Sequence, residues 1–282
     1  MNINDITSDT ITSVAELIDL DESLLYAAGG PHGLAFRGQP RDFGTLAPSF
    51  QRQFSRQSIG TAELIEGKLI SAFREHYAEL KDRSPDMPAP DRIGHHRDLR
   101  CLSVMQHYEI PTRLLDWTSN FWIAIYFATA SDPGNKAELW IYDRQMFQTQ
   151  RLLNPMFATL TDPSTDPPPE PPFLNRRGED LIVELDPQIT PRMKQQAAHH
   201  TVSGEVFADH APLIFALQQK IQSETVTVPT VRRVLIDASC KGKALQFLAE
   251  HKNITASTIF PDVVGLGRFL RWQFESLRTM LL

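Results

Sequence analysis

Cysteine is nearly absent from this chain of 282 residues, which has only Cys101 and Cys240. Two isolated thiols build neither a disulfide framework nor a cysteine zinc site, so they read as reduced core cysteines of a cytoplasmic protein. Long apolar runs are missing too: none approaches the ~20 residues that span a bilayer, so no membrane association is expected. The opening MNINDITSDTI lacks the charged and apolar regions of a secretion signal. Positive charge is scarce. With 28 Lys and Arg against 34 Asp and Glu, the net charge is −6, which argues against a nucleic-acid-coating protein while leaving room for a local basic cleft. There is no Gly-rich dinucleotide fingerprint, no phosphate loop and no Gly-x-Ser-x-Gly elbow, which removes three common nucleotide and hydrolase readings. No repeat is present, and no metal is expected: His95 and His96 are adjacent on an extended segment and point apart.

Amphipathic periodicity supplies the elements that are there. Residues 10–25 read as a helix with Ile11, Val14, Leu17 and Ile18 on one face, broken by Gly29-Gly30-Pro31. Leu34-Ala35-Phe36-Arg37 reads as a strand. Helices are predicted at 61–82, 97–108, 241–251 and 263–281, and strands at 138–142, 181–185 and 226–236. The proline-rich stretch from 154 to 178 reads as a surface loop or flap within one domain spanning 1–282. Strands separated by helices of uneven length indicate an α+β fold, with a mixed or split β-sheet flanked by helices.

The densest stretch is QHYEIPTRLLDWTSNFWIAIYFA, from Gln106 to Ala128. It sets His107, Tyr108, Arg113, Asp116, Thr118, Ser119 and Asn120 among apolar neighbours. Unpaired burial would cost such groups roughly 1–3 kcal/mol each, so they must be bonded or face a cleft. Pro111 holds Ile110 extended and ends the preceding helix. Thr118 and Ser119 sit where a hydroxyl can cap the helix FWIAIYFA. Two readings of Arg37 stand side by side: an ion pair with an acidic residue, or a grip on a ligand phosphate or ribose through its planar fork, with Gln39 beside it. Asp116 could pair with Arg113 three residues away. Trp117 and Trp122 read as core, and His107 as a hydrogen-bonded core histidine.

The segment HYxIPTRLLDWTSN resembles the signature of the FRG domain, a bacterial family named for a Phe-Arg-Gly motif. That motif stands here as Phe36-Arg37-Gly38-Gln39, followed by Leu46-Ala47-Pro48-Ser49-Phe50 and, late in the chain, by IFPDVVGL from Ile259 to Leu266. Arg192 to Gln196 is similar to the family's Arg-x-x-x-Gln-x-Gly-x-Phe segment, but Ala198 replaces the glycine and His200 the phenylalanine.

The order of these motifs is similar to that of ADP-ribosyltransferases, and the resemblance implies their chemistry. Such enzymes carry an early-strand Arg or His that grips NAD, a middle segment of small hydroxyl residues or Tyr before an apolar helix, and a late polar residue. On this reading NAD is the cofactor, and it is bound by Arg37, Gln39, His107, Tyr108, Arg113, Thr118, Ser119 and Tyr126. Asp116, Gln196 and Glu205 are the catalytic candidates, Asp116 or a late Glu stabilising positive charge as the nicotinamide–ribose bond breaks. The implied function is an NAD-dependent, ADP-ribosyltransferase-like enzyme acting on a protein or nucleic-acid target, as a toxin or anti-phage effector. The alternative is a non-catalytic nucleotide or nucleic-acid binding module, which would bind without releasing nicotinamide.

Overall fold

The computed structural model describes residues 7–27, 33–54, 58–79, 97–154, 174, 182–185, 190–225, 230–261 and 269–270. Seven strands are formed among them: β1 (Thr7–Ile11), β2 (Leu34–Gln39), β3 (Leu114–Thr118), β4 (Ala137–Asp143), β5 (Ile182–Leu185), β6 (Ala198–Ser203) and β7 (Val231–Ile236). They make one sheet in the order β1-β7-β4-β2-β3-β6-β5. Only β1 and β7 run parallel; every other pair is antiparallel. The chain is therefore α+β with a mixed sheet, and no helix among the described residues is long and apolar enough to cross a membrane.

Helices cover both faces of the sheet. One face carries α1 (Val14–Ala27), α4 (Phe121–Thr129) and α8 (Ala238–His251), packed on Phe36, Leu139, Ile141, Val234 and Ile236. On the same side, α2 (Ile59–Glu79) and α3 (Arg97–His107) cover Leu114, Val183 and Val202. The opposite face carries α5 (Gln145–Leu153) and α7 (His210–Glu224) over Leu115, Trp117, Trp140 and Tyr142. The short α6 (Pro191–Gln195) and α9 (Ala256–Ile259) complete the set. Strand alternation sorts β3 cleanly: Leu115 and Trp117 face α7, while Leu114, Asp116 and Thr118 face the other side. Trp117 meets Tyr142 edge-on at 4.5 Å between ring centroids, and burying each such ring is worth up to about 3 kcal/mol.

The predicted helix over 10–25 needs correcting at its start. Thr7–Ile11 is a strand, and the helix begins at Val14. The Oγ of Ser13 accepts the Glu16 N–H at 3.3 Å, and the Glu16 carboxylate accepts the Thr12 N–H at 2.9 Å. This Ser-x-x-Glu box fixes the helix start and frees Ile11 to enter the core from β1. Strand β6 and helices α5 and α7 have no counterpart in the periodicity reading. The loop at 154–178 lies almost wholly outside the described residues, as do Ser84 to Pro90, His95-His96, Val263 to Leu266 of the closing motif, and nearly all of the helix expected at 263–281.

Candidate functional site

Strands β2 and β3 are joined at one position only, Phe36 opposite Thr118. Beyond it they part, and the Asp116 carbonyl, which a paired β2 would have used, instead accepts the Arg37 guanidinium, Nη1 donating at 2.6 Å. The Arg37 Nε is buried with no hydrogen-bond partner among the described residues. Burial pushes the guanidinium pKa down, and the Asp116 carboxylate opposes that shift.

The rest of Phe36-Arg37-Gly38-Gln39 is architectural. Phe36 packs edge-on against Phe121 at 5.6 Å. Gly38 lies directly under α4: a Cβ there would sit 1.9 Å from the Ala124 carbonyl oxygen and 2.6 Å from the Ala128 nitrogen. The Gln39 amide donates to the buried Glu138 carboxylate and to the Thr45 carbonyl. Glu138 also takes the Arg233 Nε at 2.7 Å and the Gly44 N–H at 3.3 Å. Arg37 is thus the member of the motif left with a donor to spare.

Asp116 projects into the gap on the other face, its side chain about half exposed. Its Oδ1 stands 3.0 Å from His200 Nδ1, and its Oδ2 accepts the Gln106 amide at 2.9 Å. Gln106 is fixed in turn by the Thr112 hydroxyl, which donates to Oε1 at 2.6 Å. Desolvation alone would raise the Asp116 pKa. His200, Arg37 and Gln106 outweigh it and hold the carboxyl at about 2, so it is ionised at neutral pH. His200 is itself buried: Nδ1 makes the ion-pair contact to Asp116 without hydrogen-bond geometry, and Nε2 has no hydrogen-bond partner among the described residues.

Two residues on, the Thr118 hydroxyl donates to the Gln196 carbonyl at 2.7 Å, and the Ser119 N–H donates to the Ala197 carbonyl at 3.1 Å. Ala197 adopts φ +45, a left-handed conformation that costs a non-glycine residue about 1–2 kcal/mol. The Ser119 Oγ accepts from Arg144 at 3.3 Å, and Arg144 is held at 2.6 Å by the buried Glu184 carboxylate. Early, middle and late segments therefore meet on three neighbouring strands, β2, β3 and β6.

Several expected site residues fall elsewhere. Arg113 does not pair with Asp116. It is fully buried, its Nε donating to Glu66 at 2.8 Å and its Nη1 to the Gly204 carbonyl at 2.7 Å. A guanidinium used up this way holds the fold and offers nothing to a ligand. Tyr126 packs into the core with α4. Glu205 follows the far end of β6. The register sets Thr118 opposite Ala198 and Leu114 opposite Val202, so Gln196 and Glu205 are separated by roughly 17 Å of strand. Only Gln196 stands at the Thr118 end. His107 and Tyr108 lie side by side where α3 ends, just after Gln106, with ring centroids 5.1 Å apart. The cap of α4 is Asn120 rather than Thr118 or Ser119: its Oδ1 accepts the Trp122 and Ile123 N–H groups.

His200 and Gln106 are the site residues that sequence reasoning missed. His200 stood out only as a departure from an expected phenylalanine, and Gln106 carried no signal of its own.

The FRG domain family matches residues 32–137, from just before β2 to the first residue of β4. That span holds Arg37, Gln106, Asp116, Thr118 and Ser119, but not Gln196 or His200. No curated protein and no solved structure matches the chain.

Proposed function

We propose that this chain, which carries an FRG domain at residues 32–137, binds NAD across the β2–β3 seam and transfers its ADP-ribosyl group to a macromolecular acceptor. The observation that carries the reading is the adjacency of β2, β3 and β6. Arg37, the Asp116–Ser119 segment and the Gln196–His200 segment are far apart in sequence, yet they converge at one opening in the sheet. This is the early, middle and late arrangement that ADP-ribosyl transfer calls for. Breaking the nicotinamide–ribose bond sends its electron pair to the departing nicotinamide and leaves positive charge on the ribose carbon, which an acceptor nucleophile then attacks. The reaction asks the protein for orientation and for a fixed negative charge. Asp116 supplies that charge, ionised and locked by two neighbours. Arg37 retains the Nε donor for a phosphate oxygen, and on the other face of the seam the Thr118 and Ser119 hydroxyls, held by Gln196 and Arg144, are the groups offered to ribose.

The test is an NAD titration with nicotinamide release, on the wild type and on Arg37→Ala, Arg37→Lys and Asp116→Asn. Loss of Arg37 is expected to weaken NAD binding by about 1.5–3 kcal/mol, the scale of a hydrogen bond to a charged group. Its melt should stay close to wild type, because Arg37 bonds a carbonyl rather than a buried carboxylate. Lysine should recover little, since it lacks the fork. Asp116→Asn should keep NAD binding and lose release. Wild-type protein that neither binds NAD nor releases nicotinamide would overturn the proposal, and binding without release would leave the nucleotide-binding module.

A further inference from the structure

A cavity of about 340 Å³ opens between α1 and the start of α4, and its lining reaches Ser119 and Ala197 at the edge of the candidate site. Its walls include Leu24 from α1, Leu34 and Phe36 from β2, and Phe121 and Trp122 from α4. The rings form an edge-to-face run: Phe36 meets Phe121 at 88°, and Phe121 meets Trp122 at 88°. Asp21 is the one ionisable residue among the described residues that line it.

We propose that this pocket binds a small organic ammonium ion, with Asp21 as its counter-charge and the aromatic run as its apolar seat. A carboxylate set among aromatic rings suits a ligand whose cationic head is wrapped in methyl or methylene groups, since such a head satisfies the charge and the π faces together. A neutral apolar ligand would strip water from Asp21 and return nothing, and an anion would be repelled. The Asp21 pKa is raised, chiefly by desolvation, with the Trp122 indole and Lys252 pulling the other way. The protein already shows this affinity from outside the cavity: the Lys252 ammonium lies 4.6 Å over the Trp122 ring. Lys252 is exposed just past α8, so it competes for the same carboxylate and indole.

The experiment is calorimetric titration of the full chain with choline and with its neutral isostere 3,3-dimethyl-1-butanol. Choline should bind, and the isostere should bind at least about tenfold more weakly, the scale of a cation–π contact with its ion pair. Asp21→Asn should weaken choline by about the same factor, while Lys252→Ala should tighten it by removing the competing cation. The two variants thus move affinity in opposite directions. Because Lys252 is a surface residue, its arm stays readable even if Asp21→Asn disturbs α1. No choline binding, equal binding of the isostere, an indifferent Asp21→Asn protein that still melts as wild type, or weaker binding in Lys252→Ala would each overturn the assignment.

Discussion

Replacing Glu66 by alanine is the sharpest test of how this sheet is held at its β3 end. The Arg113 guanidinium is fully buried, and Glu66 is 4% exposed. Two of the guanidinium's nitrogens, Nε and Nη2, donate to the Glu66 carboxylate, while Nη1 serves the Ser203 and Gly204 carbonyls. The alanine variant keeps the charge inside and removes the carboxylate that pairs with it. Breaking a buried pair in this manner costs about 3–5 kcal/mol, a large fraction of the stability of an ordinary domain. Urea denaturation at neutral pH measures it: the midpoint should fall sharply with the slope unchanged. The double variant Glu66→Leu/Arg113→Met should be more stable than Glu66→Ala, since an apolar pair leaves no stranded charge. A loss below about 1 kcal/mol in Glu66→Ala would refute the argument, because it would mean that water or another group reaches Arg113. It would also return Arg113 to the pool of residues free to meet a ligand.

Other expected outcomes follow from the same contacts. Gly38→Ala should destabilise by at least about 1–3 kcal/mol, because the new methyl meets the backbone of α4 rather than a movable side chain; a thermal melt will show it. Asn120→Ala removes two hydrogen bonds at the start of α4 and should cost about 1 kcal/mol in the same assay. Burial, with Arg37 and Arg113 nearby, lowers the His210 pKa to about 3, against about 6.5 in the unfolded chain. The unfolded state then binds more protons in between, so stability is complete above about pH 6.5 and falls as pH drops toward 3. Urea midpoints measured across that range should show the slope, and His210→Asn should flatten it. Cys101 is buried with its thiol pushed up to about 11, so it should react with a thiol reagent only after unfolding.

The parts of the fold legible in the sequence were those whose pattern is local. Helix α2 and strand β4 announced themselves through apolar spacing, and β2 through its short apolar run. Strand β6 did not, because AHHTVS combines polar residues that are buried by partners distant in sequence. Thr201 takes the Trp117 indole N–H at 2.9 Å, and His200 faces Asp116. Burial of that kind is decided by tertiary contacts, which periodicity cannot register. The site divides in the same way. Arg37 and Asp116 stood out as charges on apolar segments, and they do adjoin. Arg113 stood out for the same reason, but its partner Glu66 is on α2, 47 residues away, and no spacing rule reaches it. Glu205 was separated from Gln196 only when the β3–β6 register placed them at opposite strand ends.

The single bridge between β2 and β3 has a mechanical side. Every other neighbour pair in the sheet is laced at several positions, so the ladder divides into two panels, β1-β7-β4-β2 and β3-β6-β5, that meet at its thinnest line. Opening that line breaks one ladder step and the Arg37–Asp116 bond, together with the Arg144–Glu184 pair and the Trp117–Tyr142 ring contact that cross it. The amides flanking Phe36 and Thr118 should therefore exchange with solvent through a small local opening, at lower free energy than the amides inside either panel.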